Sequence, residues 1–235
     1  MPKRISTLKK LAPKAKRFPN SVSWYHAPVR GFIPVAGGVA YSALARRLIR
    51  FNPKLIQATF EAFNKLRETE SSVANVCGVS LHVLPHAKGG VGNAFYKLKI
   101  GKREFFMKVI IMHSTKQQFN AMHDLALDQH HNLIEAKKVI LKNSLNKDFD
   151  VAEPHYAFVS KHHSFQVTSF HNCESVESIL KGADSPVKTA LLQKMDIFHK
   201  GVATLRKEGF FDLQERNAFF SPETGKFILF DLRRT

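Results

Sequence analysis

The sequence predicts an α+β fold: an antiparallel sheet, then helices and a closing β-hairpin, preceded by a basic helical extension. Three observations carry this. Between Val79 and Met112 short apolar or alternating runs are separated by glycine and proline turns, the pattern of consecutive antiparallel strands. From Lys116 to Lys207 the apolar residues mostly recur at three- and four-residue steps, interrupted by two strand-like runs. Twelve Lys and Arg and no Asp or Glu fall in residues 1–60, so that stretch differs in kind from the rest of the chain.

Residues 1–30 carry Pro2, Pro13, Pro19 and Pro28 among lysines and read as an irregular arm. From Ala40 to about Arg67 the spacing of Leu44, Leu48, Ile49, Leu55, Ile56, Phe60, Phe63 and Leu66 predicts helix, broken at Asn52-Pro53. Its other face, with Arg46, Arg47, Arg50 and Lys54, suits a membrane surface or simple packing on its own domain. The runs "VSLHVL", "AFYKLKI" and "REFFMKVIIM" are the next strands, with turns at Pro85, Gly89–Gly92 and Gly101-Lys102. A long helix is expected over Lys116–Asn143, then strands at "HYAFVSK" and "SFQVTSF". Helices over Ser175–Leu180 and Val187–Lys207 come next, the second stopped by Gly209. "NAFF" and "KFILFDL" make the hairpin around a turn at Ser221–Lys226, and no internal repeat is present. The expected division is a basic arm and helices over 1–75, a first lobe over 76–170 and a second over 171–235.

The net charge of +17 is concentrated, since residues beyond 60 contribute only +5 of it. A basic arm of this kind favours an anionic surface: membrane phospholipid, polyanionic glycan or nucleic acid. It also resembles an organelle-targeting segment. Two cysteines, Cys77 and Cys173, form no disulfide framework and point to a reducing compartment, so the expected location is cytoplasmic, either free or peripheral at a membrane surface. The longest apolar stretch, Gly31–Ala45, is interrupted by Pro34, Gly37 and Gly38 and falls short of the roughly 18–20 residues a spanning helix requires. The twelve histidines, including the pairs His130-His131 and His162-His163, show no zinc-ligand spacing with either cysteine.

Four separated signals carry chemistry. "KGGVGNAFYKL" places Gly89, Gly90 and Gly92 before a strand, where backbone N–H groups could approach a phosphate; a plain hairpin turn is the alternative. Lys108 sits in the apolar "FFMKVII" and wants an anionic partner or a route to water. Glu135 in "LIEAKKVI" could pair with Lys108, with Asp124 and Asp128 competing for that role. In the apolar tail "FFDLQERNAFFSPETGKFILFDLRRT", Asp212 and Asn217 are five apart and Asp231 comes fourteen later, beyond a hairpin that brings strand ends together. Three oxygen-bearing side chains converging there would suit a hard cation with phosphate.

These motifs, over about Val79–Leu232, resemble the protein-kinase-like superfamily, with a two-lobe fold and a minimal, truncated helical second lobe. The pattern is most similar to the compact atypical branches: lipopolysaccharide sugar kinases, aminoglycoside phosphotransferases and RIO-like kinases. "GGVGNAF" matches a glycine loop, "FMKV" the lysine strand, "EPHYAF" with "FQVTSFHNCESVESIL" the hinge crossing, "DLQERN" the catalytic loop and "ILFDL" the metal-binding segment. The resemblance implies an ATP- and Mg2+-dependent phosphotransferase acting on a hydroxyl acceptor, a small molecule or glycan rather than a peptide. It implies Asp212 as catalytic base and Asn217 and Asp231 as metal ligands. It also implies Gly89, Gly90, Gly92, Lys108 and Glu135 at the phosphates, and Phe170, His171 and Cys173 in an adenine-binding hinge.

The chain departs from the family pattern at Phe210, where a His is usual, and in reading D-L-R at the metal motif. The family's activation segment and later helices are not seen before Thr235, which argues against an ordinary protein kinase. Two other readings stand beside the enzyme: a pseudokinase-like nucleotide-binding or interaction module, and a basic nucleic-acid-binding protein. For the last, only Phe18, Trp24 and Tyr25 interleave with the lysines of the arm.

Overall fold

The computed structural model describes residues 32–35, 39–42, 53–84, 93–111, 116–160 and 163–234. Gly89, Gly90, Gly92 and the arm before Phe32 lie outside the described residues. The chain is α+β and separates into two units, residues 1–127 with 155–167 and residues 128–154 with 168–235. These boundaries differ from the division expected at 75/76 and 170/171. The helix before residue 75 belongs to the sheet unit's core, and the chain from Asp128 to Pro154 belongs with the closing hairpin.

The first unit is built on an eight-stranded sheet. Its strands are β1 (Phe32–Val35), β2 (Val39–Ser42), β3 (Val73–Val76), β4 (Val79–Val83), β5 (Asn93–Ile100), β6 (Arg103–Ile111), β8 (Pro154–Val159) and β9 (His163–Ser169), in the order β1-β2-β8-β9-β6-β5-β4-β3. The ladders β1–β2, β2–β8, β3–β4, β4–β5 and β5–β6 are antiparallel. Cys77 and Gly78 close the β3–β4 turn with φ of +46° and +80°. Two left-handed residues in a two-residue loop match the twist of the strands they join.

The expected helix from Ala40 is corrected here, because Val39–Ser42 is a strand paired with Phe32–Val35. The rest of that expected helix before Pro53 lies outside the described residues. Helix α1 (Pro53–Thr69) begins at the expected break, with Pro53 in the first turn where its missing N–H costs nothing. Ile56, Thr59, Ala62, Phe63 and Leu66 form its buried stripe, and the Phe63 ring meets Tyr96 and Phe165 edge-on at 5.8 and 5.1 Å. Burial of this order, about 1.5–3 kcal/mol per large side chain, makes α1 part of the core rather than an appendage.

The second unit begins within helix α2 (Lys116–Lys142), whose Leu133, Ala136, Val139 and Ile140 are buried. Strand β7 (Phe149–Val151) runs parallel to β12 (Lys226–Leu229), which pairs antiparallel with β11 (Ala218–Ser221). The helix expected over Val187–Lys207 is two: α4 (Pro186–Leu192) and α5 (Met195–Lys207), after the short α3 (Val176–Lys181). The break falls at Gln193-Lys194, where the Lys194 ammonium donates to Asp148 at 2.9 Å and to the Gly225 carbonyl at 2.7 Å. Gly201 lets α5 press against Phe149, since a Cβ there would stand 2.3 Å from that ring. A last two-stranded ribbon joins β10 (Phe210–Phe211) to β13 (Arg233–Arg234). Among the described residues no helix is long and apolar enough to cross a membrane.

Candidate functional site

Two ladders place the acidic tail. In the β11–β12 hairpin Ala218 pairs with Leu229, and Phe230 donates its N–H to the Asn217 carbonyl at 3.0 Å. In the β10–β13 ribbon Phe211 pairs with Arg233. Asp231 therefore lies two residues beyond the first ladder, and Asp212 is one residue beyond the second, opposite Leu232. Asp212, Asn217 and Asp231 meet along the backbone within the second unit. The apolar neighbours do the positioning: Phe210, Leu213, Ala218, Phe220, Leu229 and Leu232 are all buried in one core.

Both aspartates have left-handed backbone, with φ of +60° at Asp212 and +53° at Asp231. Such conformations cost of order 1–3 kcal/mol and persist where surrounding contacts impose them. Here the imposing contacts are visible. The Asn217 side-chain amide donates to the Asp212 carbonyl at 2.8 Å, and Gln214 N–H donates to the same oxygen at 3.1 Å. Arg206 donates to the Leu213 carbonyl at 3.3 Å, and Asn132 to the Leu232 carbonyl at 3.1 Å. Gln129, almost fully buried, donates its side-chain amide to Asp231 Oδ1. Its own Oε1 is buried with no hydrogen-bond partner among the described residues.

Charge around Asp212 is cationic. Arg216 Nη2 stands 3.5 Å from Asp212 Oδ1, and Arg233 Nε 3.8 Å from Oδ2. Arg234 reaches the other way, over the buried Phe210 ring at 5.1 Å and toward Glu135 at 3.9 Å.

The remaining sequence-derived candidates fall in two places. Lys108, 6% exposed, stands in β6 opposite Phe95 within the first unit. Glu135 is in the second unit with Lys138 at 2.6 Å, a hydrogen bond that holds its carboxyl below the usual range against the opposing effect of burial. Phe170, His171 and Cys173 follow β9 as an extended segment, tied to the hairpin where Phe220 N–H donates to the Glu174 carbonyl at 3.2 Å. His171 meets Ser169 Oγ at 2.9 Å; burial pushes its pKa down, with Asp150 pulling it partly back up. Burial pushes the Cys173 thiol up. Cys173 also lines a cavity of about 430 Å³ with Glu174, Ile179, Phe220 and Pro222. Asp212, Asn217 and Asp231 do not line it. Among the described residues no group of three or more His, Cys, Asp or Glu could hold a metal, so any cation here would depend on Asn217 beside the aspartates.

Sequence reasoning missed Gln129 and Asn132. A signal existed: both stand on the helical stripe continued by Leu133, Ala136 and Ile140, where a polar residue needs a partner. It also missed β7, three residues too short to announce themselves, and Arg216 and Arg233, which read as ordinary surface charges.

No family model matches the sequence, and no curated protein is similar to it. Among solved structures the chain is similar to a crystal structure of the BubR1 kinase domain, at 14% identity and a TM-score of 0.44. The similarity covers 77% of this chain and 60% of that one, so the chain spans less than two thirds of the solved domain it matches.

Proposed function

We propose that the chain is an ATP- and magnesium-dependent phosphotransferase of protein-kinase-like, two-lobe fold that moves the γ-phosphate to a hydroxyl acceptor, a small molecule or glycan. The observation that carries the reading is the backbone convergence of Asp212, Asn217 and Asp231 in the second unit, with both aspartates held in left-handed conformation. Nothing in hairpin packing alone calls for two strained acidic residues among buried phenylalanines.

The donor set fits a hard divalent cation. Asn217 commits its amide nitrogen to the Asp212 carbonyl, so its oxygen is the end left for a ligand. Asp231, oriented through one oxygen by the Gln129 side-chain amide, supplies a carboxylate to the set. Asn217 and Asp231 would hold magnesium, which would supply neutralisation of the charge that develops on the transferred phosphate. Asp212 would orient the acceptor hydroxyl. As the acceptor oxygen bonds to the γ-phosphorus and the bond to the β-phosphate oxygen breaks, the hydroxyl proton passes to Asp212, leaving ADP and the phosphorylated acceptor. On the same reading Lys108 and the backbone at Gly89, Gly90 and Gly92 hold phosphates, and Phe170, His171 and Cys173 receive adenine. Residues 1–60 would bring the enzyme to an anionic surface, whether membrane phospholipid, glycan or nucleic acid.

Melting with and without Mg-ATP tests this. A ligand at about a hundred times its dissociation constant adds roughly 2.7 kcal/mol, and Asp231→Asn should abolish the shift. No shift with any divalent ion ends the reading. A second reading, nucleotide binding without transfer, is favoured by Phe210. It is buried beneath Arg234, in the position two residues before Asp212, and offers the loop no hydrogen bond. Slow ATP turnover that disappears in Asp212→Asn would exclude it.

A further inference from the structure

We propose that the acceptor is a small anionic hydroxyl compound, a phosphorylated or carboxylated sugar or polyol, whose acid group is taken by Arg216 and Arg233 on either side of Asp212. The inference rests on the reading of Asp212 as the group that receives the acceptor's proton.

Asp212 faces one guanidinium at each carboxylate oxygen, at 3.5 and 3.8 Å. Charge-assisted hydrogen bonds of this kind ordinarily close to about 2.7–2.9 Å, so neither arginine is locked onto the aspartate. The Arg216 and Arg233 side chains are 58% and 50% exposed, and exposed pairs of this sort contribute at most about 1 kcal/mol. They are therefore poor structural clamps. The neighbouring arginines are directed elsewhere: Arg206 donates to the Leu213 carbonyl, and Arg234 lies over the Phe210 ring.

Each guanidinium has five N–H donors in a planar fork, more than one shared carboxylate can accept. Within 4 Å of the Asp212 carboxylate the balance is one positive charge in excess, and Glu177, an acid that also feels Arg216, is taken by Lys181 at 2.6 Å. A second planar or tetrahedral oxyanion is what such a fork matches. Phe211, 42% exposed, pairs directly with Arg233 across the ribbon, so an aromatic face and a guanidinium stand side by side next to Asp212. A ring compound carrying an acid group can cover both. The same arrangement selects by repulsion: without the arginines an anionic acceptor would be driven off by Asp212, and with them an amino sugar is disfavoured.

The test titrates the full-length protein with glucose 6-phosphate, glucuronate, glucose and glucosamine, read by calorimetry, in the wild type and in Arg216→Gln, Arg233→Gln and the corresponding lysine variants. Glucose 6-phosphate or glucuronate should bind more tightly than glucose and glucosamine. Each glutamine variant should weaken that binding about tenfold, the loss of one charged hydrogen-bonding partner, and lysine should restore part of it. The inference is overturned by equal binding of glucose and glucose 6-phosphate. It is also overturned if inorganic phosphate alone matches the sugar phosphate, if only an acidic peptide binds, or if the arginine variants weaken Mg-ATP instead. A wild type that shows the Mg-ATP shift but no anion preference loses this inference and keeps the phosphotransferase reading. Anion binding without any Mg-ATP shift ends the phosphotransferase reading, and with it the anion's role as acceptor, and leaves the two arginines as an anion site alone.

Discussion

Replacing Asn217 by alanine separates the fold of the closing ribbon from its chemistry. The side-chain amide donates to the Asp212 carbonyl at 2.8 Å, and that oxygen keeps a second donor, Gln214 N–H, at 3.1 Å. The carbonyl is thus not orphaned by the substitution, and the loss is the net worth of one hydrogen bond, about 0.5–1.5 kcal/mol. For a domain of this size about 1 kcal/mol lowers the melting temperature by roughly 2–4 °C. Mg-ATP should behave differently. Its stabilisation, about 2.7 kcal/mol at a hundredfold excess over the dissociation constant, should shrink by most of its value if Asn217 is the proposed oxygen ligand, since that oxygen has gone and Asp212 is less firmly held. Scanning calorimetry on wild type and Asn217→Ala, each with and without Mg-ATP, reads both quantities. A variant that melts a few degrees lower yet keeps the full Mg-ATP shift would refute Asn217 as a metal ligand and leave it a backbone clamp. A loss far beyond 1.5 kcal/mol without ligand would refute the reasoning that Gln214 compensates.

Three further outcomes are expected. Gly201→Ala sets a Cβ 2.3 Å from the Phe149 ring, which is itself packed against Phe198 and Phe227. The overpacking cost of about 1–3 kcal/mol should exceed the roughly 1 kcal/mol gained in helix propensity, so urea midpoints should fall, and a rise would show that the ring yields freely. Gln129→Leu removes the donor to Asp231 but also a buried acceptor without a partner, two effects of about 1–3 kcal/mol and opposite sign. Stability should stay near wild type while the Mg-ATP shift weakens, and a collapse in stability would contradict that balance. His171, whose pKa burial lowers, is favoured neutral in the folded state. Its contribution is complete above the ordinary histidine value of about 6.5 and is lost as pH falls through the lower folded value. Acid melting curves of His171→Gln should therefore decline less steeply than wild type between about pH 6.5 and the lower folded value, and superimposable curves would contradict the burial argument.

Strands β4, β5 and β6 of the first unit were legible because alternation and turn chemistry are local. Val79–Val83, Asn93–Ile100 and Arg103–Ile111 are bounded by turns whose glycines and polar residues stand in the sequence. Ala40–Ser42 was misread as helix because Leu44, Leu48 and Ile49 continue a helical spacing past Ala40 in the sequence, and nothing local records that Phe32–Val35 waits to pair. Strand β7 owes its existence to a parallel partner nearly eighty residues away in sequence, a contact no window reports. In the candidate site, Asp212, Asn217 and Asp231 stood out because carboxylates in apolar company need explanation. Gln129 and Asn132 did not, since an inward polar residue becomes visible only once the stripe of its helix is known.

The same contrast explains why the closing ribbon can hold two left-handed aspartates at all. Each ladder there is short, two pairs for β10–β13 and four for β11–β12, and short ladders alone resist distortion weakly. Resistance comes from what is beneath them: Phe210, Leu213, Phe220, Phe227, Leu229 and Leu232 are buried in a core shared with α2, β7 and α5. Moving Asp212 or Asp231 into a relaxed conformation would redirect the chain at Leu213 or Leu232 and expose a side chain whose burial contributes about 1.5–3 kcal/mol. That is comparable to the strain of one left-handed residue, so each aspartate is held by the leucine that follows it. The apolar tail and the acids within it are one device, in which the hydrophobic anchors fix the backbone and the fixed backbone presents the carboxylates.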